Sequence, residues 1–571
     1  NVQPFASSLW KMYDYSDLRV VSGNYLKCNN LMVTYEFGER ILSQLRMTRL
    51  ALSLSGTNLF TISSKKLKGQ TPTQGFTEVS LSDRPVMRNI LCTIIIASFL
   101  TACSNFLSDY SQDLSKVETA ADLNELLLGD AYLPVGFYEA YNYSAPQPYN
   151  TFIHTMSDEI QQNHSTNTRA INSMLSSEDI FGYFTWQRSV GINSLETAIG
   201  TENECWKKTY KYINTTNMVL DELGNVTARN KREEADKIRI EGESHFLRAL
   251  YYFTLVNLYA APYEPAKAAT TPGIPLKLTS YIEDKEYEMS TLEEVYGQII
   301  DDLEEAEACL KQTETVSIYH ADLTATYLLM SRVHLYMQDY KNARKYAEDV
   351  LSRNNALGDL NTFNDEAGNF LNKSLPEVIF SMGGHQLSTG MMGSEGRRHY
   401  DDERPFYISD DLIAAFDDND LRKQHYIKKE GSYYILQKVR WDSKDHPSAK
   451  CTVSENFLFR TAEAYLNLAE AAALDEDEEK AREMIGLLQA KRFAVPPVVS
   501  ATGNDLIDLI REERQRELCL EGHRWYDLRR YTVCTKYPWS KVIRHIYRDY
   551  KYDRDLGEDI AYKQRVYELK E

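Results

Sequence analysis

The chain has 571 residues, with 83 Asp and Glu against 64 Lys and Arg, for a formal net charge of −19. That acidity argues against nucleic acid or an anionic membrane surface as a partner, because like charges repel. Eight cysteines with no C-x-x-C spacing point to neither a zinc site nor a dense disulfide framework. Residues 1–86 read as β-structure. Leu31, Val33, Tyr35 and Phe37 alternate with Met32, Thr34 and Glu36, and Leu50, Leu52 and Leu54 alternate with Ala51, Ser53 and Ser55. Gly56-Thr57-Asn58 predicts a turn before Leu59-Phe60. An outer-membrane barrel and an ordinary hairpin share this pattern.

Met87-Arg88-Asn89-Ile90 opens a segment of another kind. One basic residue precedes an apolar run from Ile90 to Ala102, followed by Cys103. The run is too short for a hydrocarbon core of roughly 30 Å, which needs about twenty residues. Its layout is that of a secretory signal peptide inside the chain, with a buried helix or strand as the alternative. Charge divides at the same place: residues 1–86 carry ten Lys/Arg and six Asp/Glu, so the acidity belongs to the body beyond.

The body is helical by pattern. Trp206, Tyr210, Ile213, Asn217 and Leu220 recur at helical spacing, as do Phe246, Leu250, Phe253 and Val256-Asn257. Ser290-Thr291, followed by Glu293-Glu294, predicts a helix start. Ala321–Met337 with Asp339–Arg353, and Glu455–Ala473 with Glu478–Lys491, predict two tight helix pairs with tetratricopeptide-like small and large residues. The pairs stand too far apart in sequence for a tandem array, so helix pairs with long insertions are expected. Residues 134–200 and 355–455, rich in Gly, Ser, Asn and aromatics, are those insertions, and long loops of this kind carry binding function.

An enzyme reading has little support. Asp158-Glu159 with His154 and His164, and Asp401-Asp402-Glu403, are acidic clusters of a sort that more often caps or orders loops. No nucleotide loop, nucleophile elbow or zinc motif appears, and no cofactor is implied. In the last helical stretch, Arg511, Glu512, Arg514, Glu517 and Glu521 are spaced to form structural ion pairs. Arg524 and Arg529 are expected to fork onto carboxylates, with Trp525 in an apolar pocket.

Several motifs carry resemblances. Ser22 to Leu31, Ser55 to Phe60 and Lys68-Gly69-Gln70-Thr71-Pro72 resemble the last strands of SusC-type TonB-dependent transporters, cut short at Met87. Leu100-Thr101-Ala102-Cys103 resembles a bacterial lipobox, which implies lipidation of Cys103. From Cys103 onward the chain resembles the SusD/RagB family of outer-membrane nutrient-binding lipoproteins. The carriers are Cys103-Ser104-Asn105-Phe106-Leu107, Trp206 to Asn217, Gly242 to Ala249, and Glu512 to Leu518 with Glu521 to Arg530. Ala260-Ala261-Pro262 departs from the glycine common there.

The resemblance implies a mainly α fold, with tetratricopeptide-like pairs, long loop insertions and a short β-rich N-terminal fragment. The domains are then 1–86, a signal peptide at 87–102, and a binding domain at 103–571 that is helical to about 350 and loop-rich beyond. It also implies a lipid-anchored, surface-exposed glycan receptor that is not an enzyme and delivers to a SusC-type transporter. An oligopeptide ligand or a pure interaction scaffold are the alternatives. Sugar rings stack on aromatic faces and need polar partners for their hydroxyls. The candidates are Tyr138, Tyr141, Tyr143, Tyr183, Trp186, Tyr400 and Trp441, with Asn163, Asn167 and Arg398, and the stretch 138–186 is favoured.

Overall fold

The computed structural model describes residues 25–36, 51–63, 117–133, 151–164, 177–199, 204–281, 286–364, 369–384, 387, 391–392, 405–439, 452–553 and 558–569. Two compact units emerge, Asn1–Leu114 and Ser115–Glu571. In the first, β1 (Tyr25–Glu36) and β2 (Ala51–Ser63) pair antiparallel, from Tyr25↔Ser63 to Glu36↔Ala51. The turn expected at Gly56-Thr57-Asn58 does not form, since Gly56 pairs with Leu31 and Thr57 with Asn30. A bulge follows instead: two residues, Asn58 and Leu59, stand opposite Asn29 before the ladder resumes at Cys28↔Phe60.

The second unit opens with α1 (Ala120–Asp130), a 3-10 segment (Thr151–Met156), β3 (Ile160–Gln162) and α2 (Phe181–Phe184). Long helices follow: α3 (Glu204–Leu223), α4 (Lys231–Tyr259), α5 (Leu292–Leu310), α6 (Leu323–Tyr336) and α7 (Tyr340–Arg353). The middle holds short elements: β4 (Val378–Ser381), β5 (Phe406–Ile408), α8 (Asp410–Ala414), α9 (Arg422–His425), β6 (Ile427–Glu430), β7 (Tyr433–Leu436) and β8 (Leu458–Arg460). Helices α10 (Thr461–Leu474), α11 (Glu478–Gln489), α12 (Gly503–Glu517) and α13 (Arg524–Thr532) lead to a hairpin of β9 (Ile543–Asp553) and β10 (Glu558–Leu569).

Local chemistry sets the helix ends. At α5, the Thr291 hydroxyl accepts from the Glu294 N–H while the Glu294 carboxylate accepts from the Thr291 N–H, a capping box at the expected start. Asp322, Asp339 and Asp477 cap α6, α7 and α11, each contributing about 1 kcal/mol. The turns inside the two pairs pass through Gln338 (φ 61) and Glu476 (φ 67), single left-handed residues that reverse the chain. Gly242 is required by packing, because a Cβ there would lie 2.7 Å from the Leu310 side chain and 2.9 Å from Cys309 of α5. Ala260 ends α4 in extended backbone with its N–H on the Val256 carbonyl, so the missing family glycine is not needed.

The two helix pairs do stack, contrary to the expectation from their sequence separation. Helix α7 packs on α10, and α10 on α11 and α12. Ala347 of α7 therefore shares one apolar cluster with Ala462, Leu466, Ala469 and Ile485. Small residues allow the close approach, and the insertion loops out between the pairs. The second pair also begins later than expected. Phe457 (φ 42) interrupts the helix, residues 458–460 pair with β4, and α10 starts at Thr461.

Neither insertion is bare loop. Strand β3 pairs with β5 in the register Ile160↔Ile408, Gln161↔Tyr407, Gln162↔Phe406, which joins the two stretches across the sequence. Their apolar residues, including Ile160, Phe181, Phe184, Phe406 and Tyr426, form a separate core with Tyr547 of the unforeseen C-terminal hairpin. Among the described residues, no helix is long and apolar enough to cross a membrane.

Candidate ligand-binding site

The charge-rich motif near the C-terminus is an ionic core. Arg422, Arg460, Arg492 and Lys438, with Asp420, Glu377, Glu513 and Glu517, are all fully buried at 0 % exposure. Glu517 of α12 accepts from Arg422 (3.0 Å), Arg492 (2.9 Å), Arg460 (2.5 Å) and the Tyr426 hydroxyl (3.1 Å). Glu521 holds Lys438 and Arg460, and Glu377 holds Arg460 and Arg492. Burial alone would raise the Glu517 pKa; the three guanidiniums overcome it and keep the carboxylate well below its usual range. The structural reading of this motif holds, with Glu513 in the network and Glu512 at its exposed edge. Arg529 donates to the main-chain oxygens of Asn257 and Ala260, and Trp525 is half-buried with its ring 6.0 Å from that guanidinium.

The segment 151–164 is bound to this C-terminal region. Asp158 accepts from Nε and Nη2 of Arg524, each at 2.8 Å, and from Lys541 at 2.8 Å. Burial opposes its charge, but those cations hold its pKa far down. The Glu159 carboxylate accepts the Leu520 N–H at 3.1 Å, and burial together with the Asp158 charge pushes its pKa up to about 8. His154 faces Asn456 (2.9 Å) and His164 faces the Ile546 carbonyl (3.2 Å), so the four residues form no joint acid–base site. Among the described residues, no group of three or more His, Cys, Asp or Glu is placed to hold a metal ion.

Glu159 gives a test with a definite sign. Its folded pKa lies above the ordinary value of 4.5, so the folded chain keeps a proton that the unfolded chain releases between about pH 4.5 and 8. Stability from this group is complete below pH 4.5 and falls as pH rises through that window. Glu159→Gln keeps the acceptor and removes the titration. The variant should gain on the wild type with rising pH, by on the order of a few kcal/mol at pH 8. Urea midpoints at pH 5, 6.5 and 8 that move in parallel for both proteins would refute this.

Three of the candidate ligand residues lie in this region. Asn163 is buried and its N–H bonds the Pro405 carbonyl at 2.9 Å, continuing the β3–β5 pairing. Tyr183 is 8 % exposed and stacks on Phe152, with centroids 4.0 Å apart and planes 15° from parallel. Trp186 is half-buried, donates from its indole N–H to the Met156 carbonyl (3.0 Å) and stacks on His545 at 4.3 Å and 18°. Its φ of 50 is a conformation that costs a bulky residue on the order of 1–3 kcal/mol, so the surroundings must enforce it. His545 came from a hairpin that the sequence reading missed; its signal was the alternation of Ile543, His545 and Tyr547 with Arg544 and Ile546. Tyr138, Tyr141, Tyr143, Asn167, Arg398, Tyr400, Trp441, the lipidation candidate Cys103 and the cluster Asp401-Asp402-Glu403 lie outside the described residues. A partly open pocket of about 50 Å³, lined by Ile153, Leu250, Arg332, Tyr336, Asn456 and His523, has room for a water or two and not for a sugar ring.

The fold and these features define a helical-repeat protein carrying a loop-built, aromatic-rich insertion. Residues 105–335 match the family model described as starch-binding, associating with outer membrane, and residues 391–566 match the SusD family model. The chain is thus similar to SusD-type proteins in both its first helical part and its C-terminal part. A SusD-like protein of Formosa agariphila is 21% identical over 515 residues, 78% of this chain and 90% of that protein. Among solved structures, a SusD superfamily protein from Bacteroides thetaiotaomicron superposes with a TM-score of 0.58 at 20% identity, covering 74% of this chain and 92% of the other. A SusD-like carbohydrate binding protein from Bacteroides vulgatus gives 0.55 at 21% identity, covering 79% and 89%.

Proposed function

We propose that this chain is a surface-exposed glycan-binding lipoprotein that captures oligo- or polysaccharide and delivers it to a SusC-type transporter in the outer membrane. On this reading Cys103 carries the lipid anchor, residues 87–102 are the signal peptide, and residues 1–86 are a truncated transporter end. Binding proceeds without turnover. Similarity to the family model described as starch-binding, associating with outer membrane, and to the SusD family model supports the ligand class. The observation that carries the site is Trp186: a part-exposed indole fixed by a stacked ring, a hydrogen bond and an enforced backbone, where the first insertion meets the C-terminal hairpin. An aromatic held in one orientation offers a sugar face a surface at little entropic cost.

Affinity electrophoresis of the chain against starch and other polysaccharides, with calorimetry against an oligopeptide panel, tests this. One polysaccharide should retard the chain, and Trp186→Ala should weaken that binding at least tenfold, about 1.4 kcal/mol, with the melt retained. Peptide binding in place of polysaccharide would replace the glycan reading with oligopeptide uptake.

A further inference from the structure

His545 is a buried imidazole that no role described so far requires. Phe184 lies 4.2 Å from it at 8° and Trp186 lies 4.3 Å from it at 18°. Two rings this near to parallel with a third, at such distances, occupy its opposite faces. The ring edge is also taken, with Nδ1 2.6 Å from the Phe184 carbonyl and Nε2 2.9 Å from the Ser157 carbonyl. Both faces are covered and His545 is 4 % exposed; with a carbonyl oxygen against each nitrogen, the neutral ring donates to one of them and only the imidazolium donates to both. The ring holds Trp186, whose indole is anchored at its other end to Met156, one residue before Ser157.

We propose that His545 is the positioning residue of Trp186: clamped between helix α2 and the 3-10 segment, it sets the orientation of the indole and makes strand β9 part of the ligand site. The proposal rests on the reading of Trp186 as a glycan platform, but its first readouts do not depend on any glycan. The charged group facing the imidazole is Asp158, itself held by Arg524 and Lys541, while the rings from the α2 side are uncharged. Burial lowers the imidazole pKa, and the two carbonyls and Asp158 work against that shift.

The test takes Trp186 fluorescence as the difference between the full chain and Trp186→Phe. An imidazolium in ring contact quenches indole, so the Trp186 signal should fall in one step on acidification, and His545→Phe should abolish the step. His545→Phe keeps a stacked ring and should retain protection from acrylamide, whereas His545→Ala should raise acrylamide quenching of Trp186 at least twofold. A step that persists in His545→Phe overturns the proposal, as does a folded His545→Ala chain with unchanged quenching. With the polysaccharide that retards the wild type, His545→Ala should bind at least fivefold more weakly. If no polysaccharide retards the wild type, the glycan reading fails while the fluorescence still decides the positioning role.

Discussion

Glu517→Gln should destabilise the body by about 3 kcal/mol or more, the usual scale for removing one partner from a buried ion pair. The reason is the loss of a shared acceptor in a dry place. Arg422, Arg460 and Arg492 are each 0 % exposed and each donates to this one carboxylate. Glu377, Glu513, Glu521 and Asp420 still balance the charge, but the amide takes away the one carboxylate that all three guanidiniums share and turns an NH2 donor toward buried N–H donors. The control is five residues away. The Glu512 carboxylate is 68% exposed and 3.8 Å from Arg516, so Glu512→Gln should stay within about 0.5 kcal/mol of wild type. Urea unfolding of both variants decides it, and equal midpoints would show that the ionic core contributes nothing net. Acid follows the same logic. Glu513 is held down to about 2 and Glu517 is also depressed, so their contribution is present above pH 4.5 and drains away only as pH falls through those lowered values.

The sequence made the helices legible because their signals are local. Capping residues such as Thr291 and Glu294, and apolar positions three and four apart, act within a few residues and need no tertiary context. What stayed hidden depends on distance along the chain. The motif 511–530 showed a charged helix face but not its partners, since Glu377, Arg422, Arg460 and Arg492 come from a different insertion or helix pair. Strands of three or four residues, such as β3 and β5, are too short for any period to emerge. The C-terminal hairpin escaped because its inward face carries His545 and Tyr547, which a hydropathy pattern does not count as core. The stacking of α7 on α10 is hidden for a related reason: the pairs are separated along the chain by a long insertion, and only the folded structure brings Ala347 into one cluster with Ala462 and Ala469.

Asp158→Asn should be the second severe substitution, and its effect should be confined. Arg524 is 6 % exposed and donates from Nε and Nη2 to Asp158 at 2.8 Å, and Lys541 adds a third contact, so the amide leaves Arg524 without its carboxylate and Lys541 with Asp411 alone. A loss of about 3 kcal/mol is expected, with Arg524→Gln alone giving a similar loss and the double substitution less than their sum. Asp158 ties the 3-10 segment to α13, and that segment supplies the Met156 and Ser157 carbonyls that hold Trp186 and His545. Freed from α13, the segment should open locally before the helical stack does. Hydrogen exchange reads this directly: the Asn163 amide, bonded to Pro405, should exchange faster in Asp158→Asn, while amides of α10 and α12 keep their protection. Equal loss across the helices would make Asp158 a global strut and remove the argument that this carboxylate serves the platform. With the local outcome, weakened polysaccharide binding in the same variant would tie the ionic anchor to ligand capture through two carbonyl oxygens and a single indole.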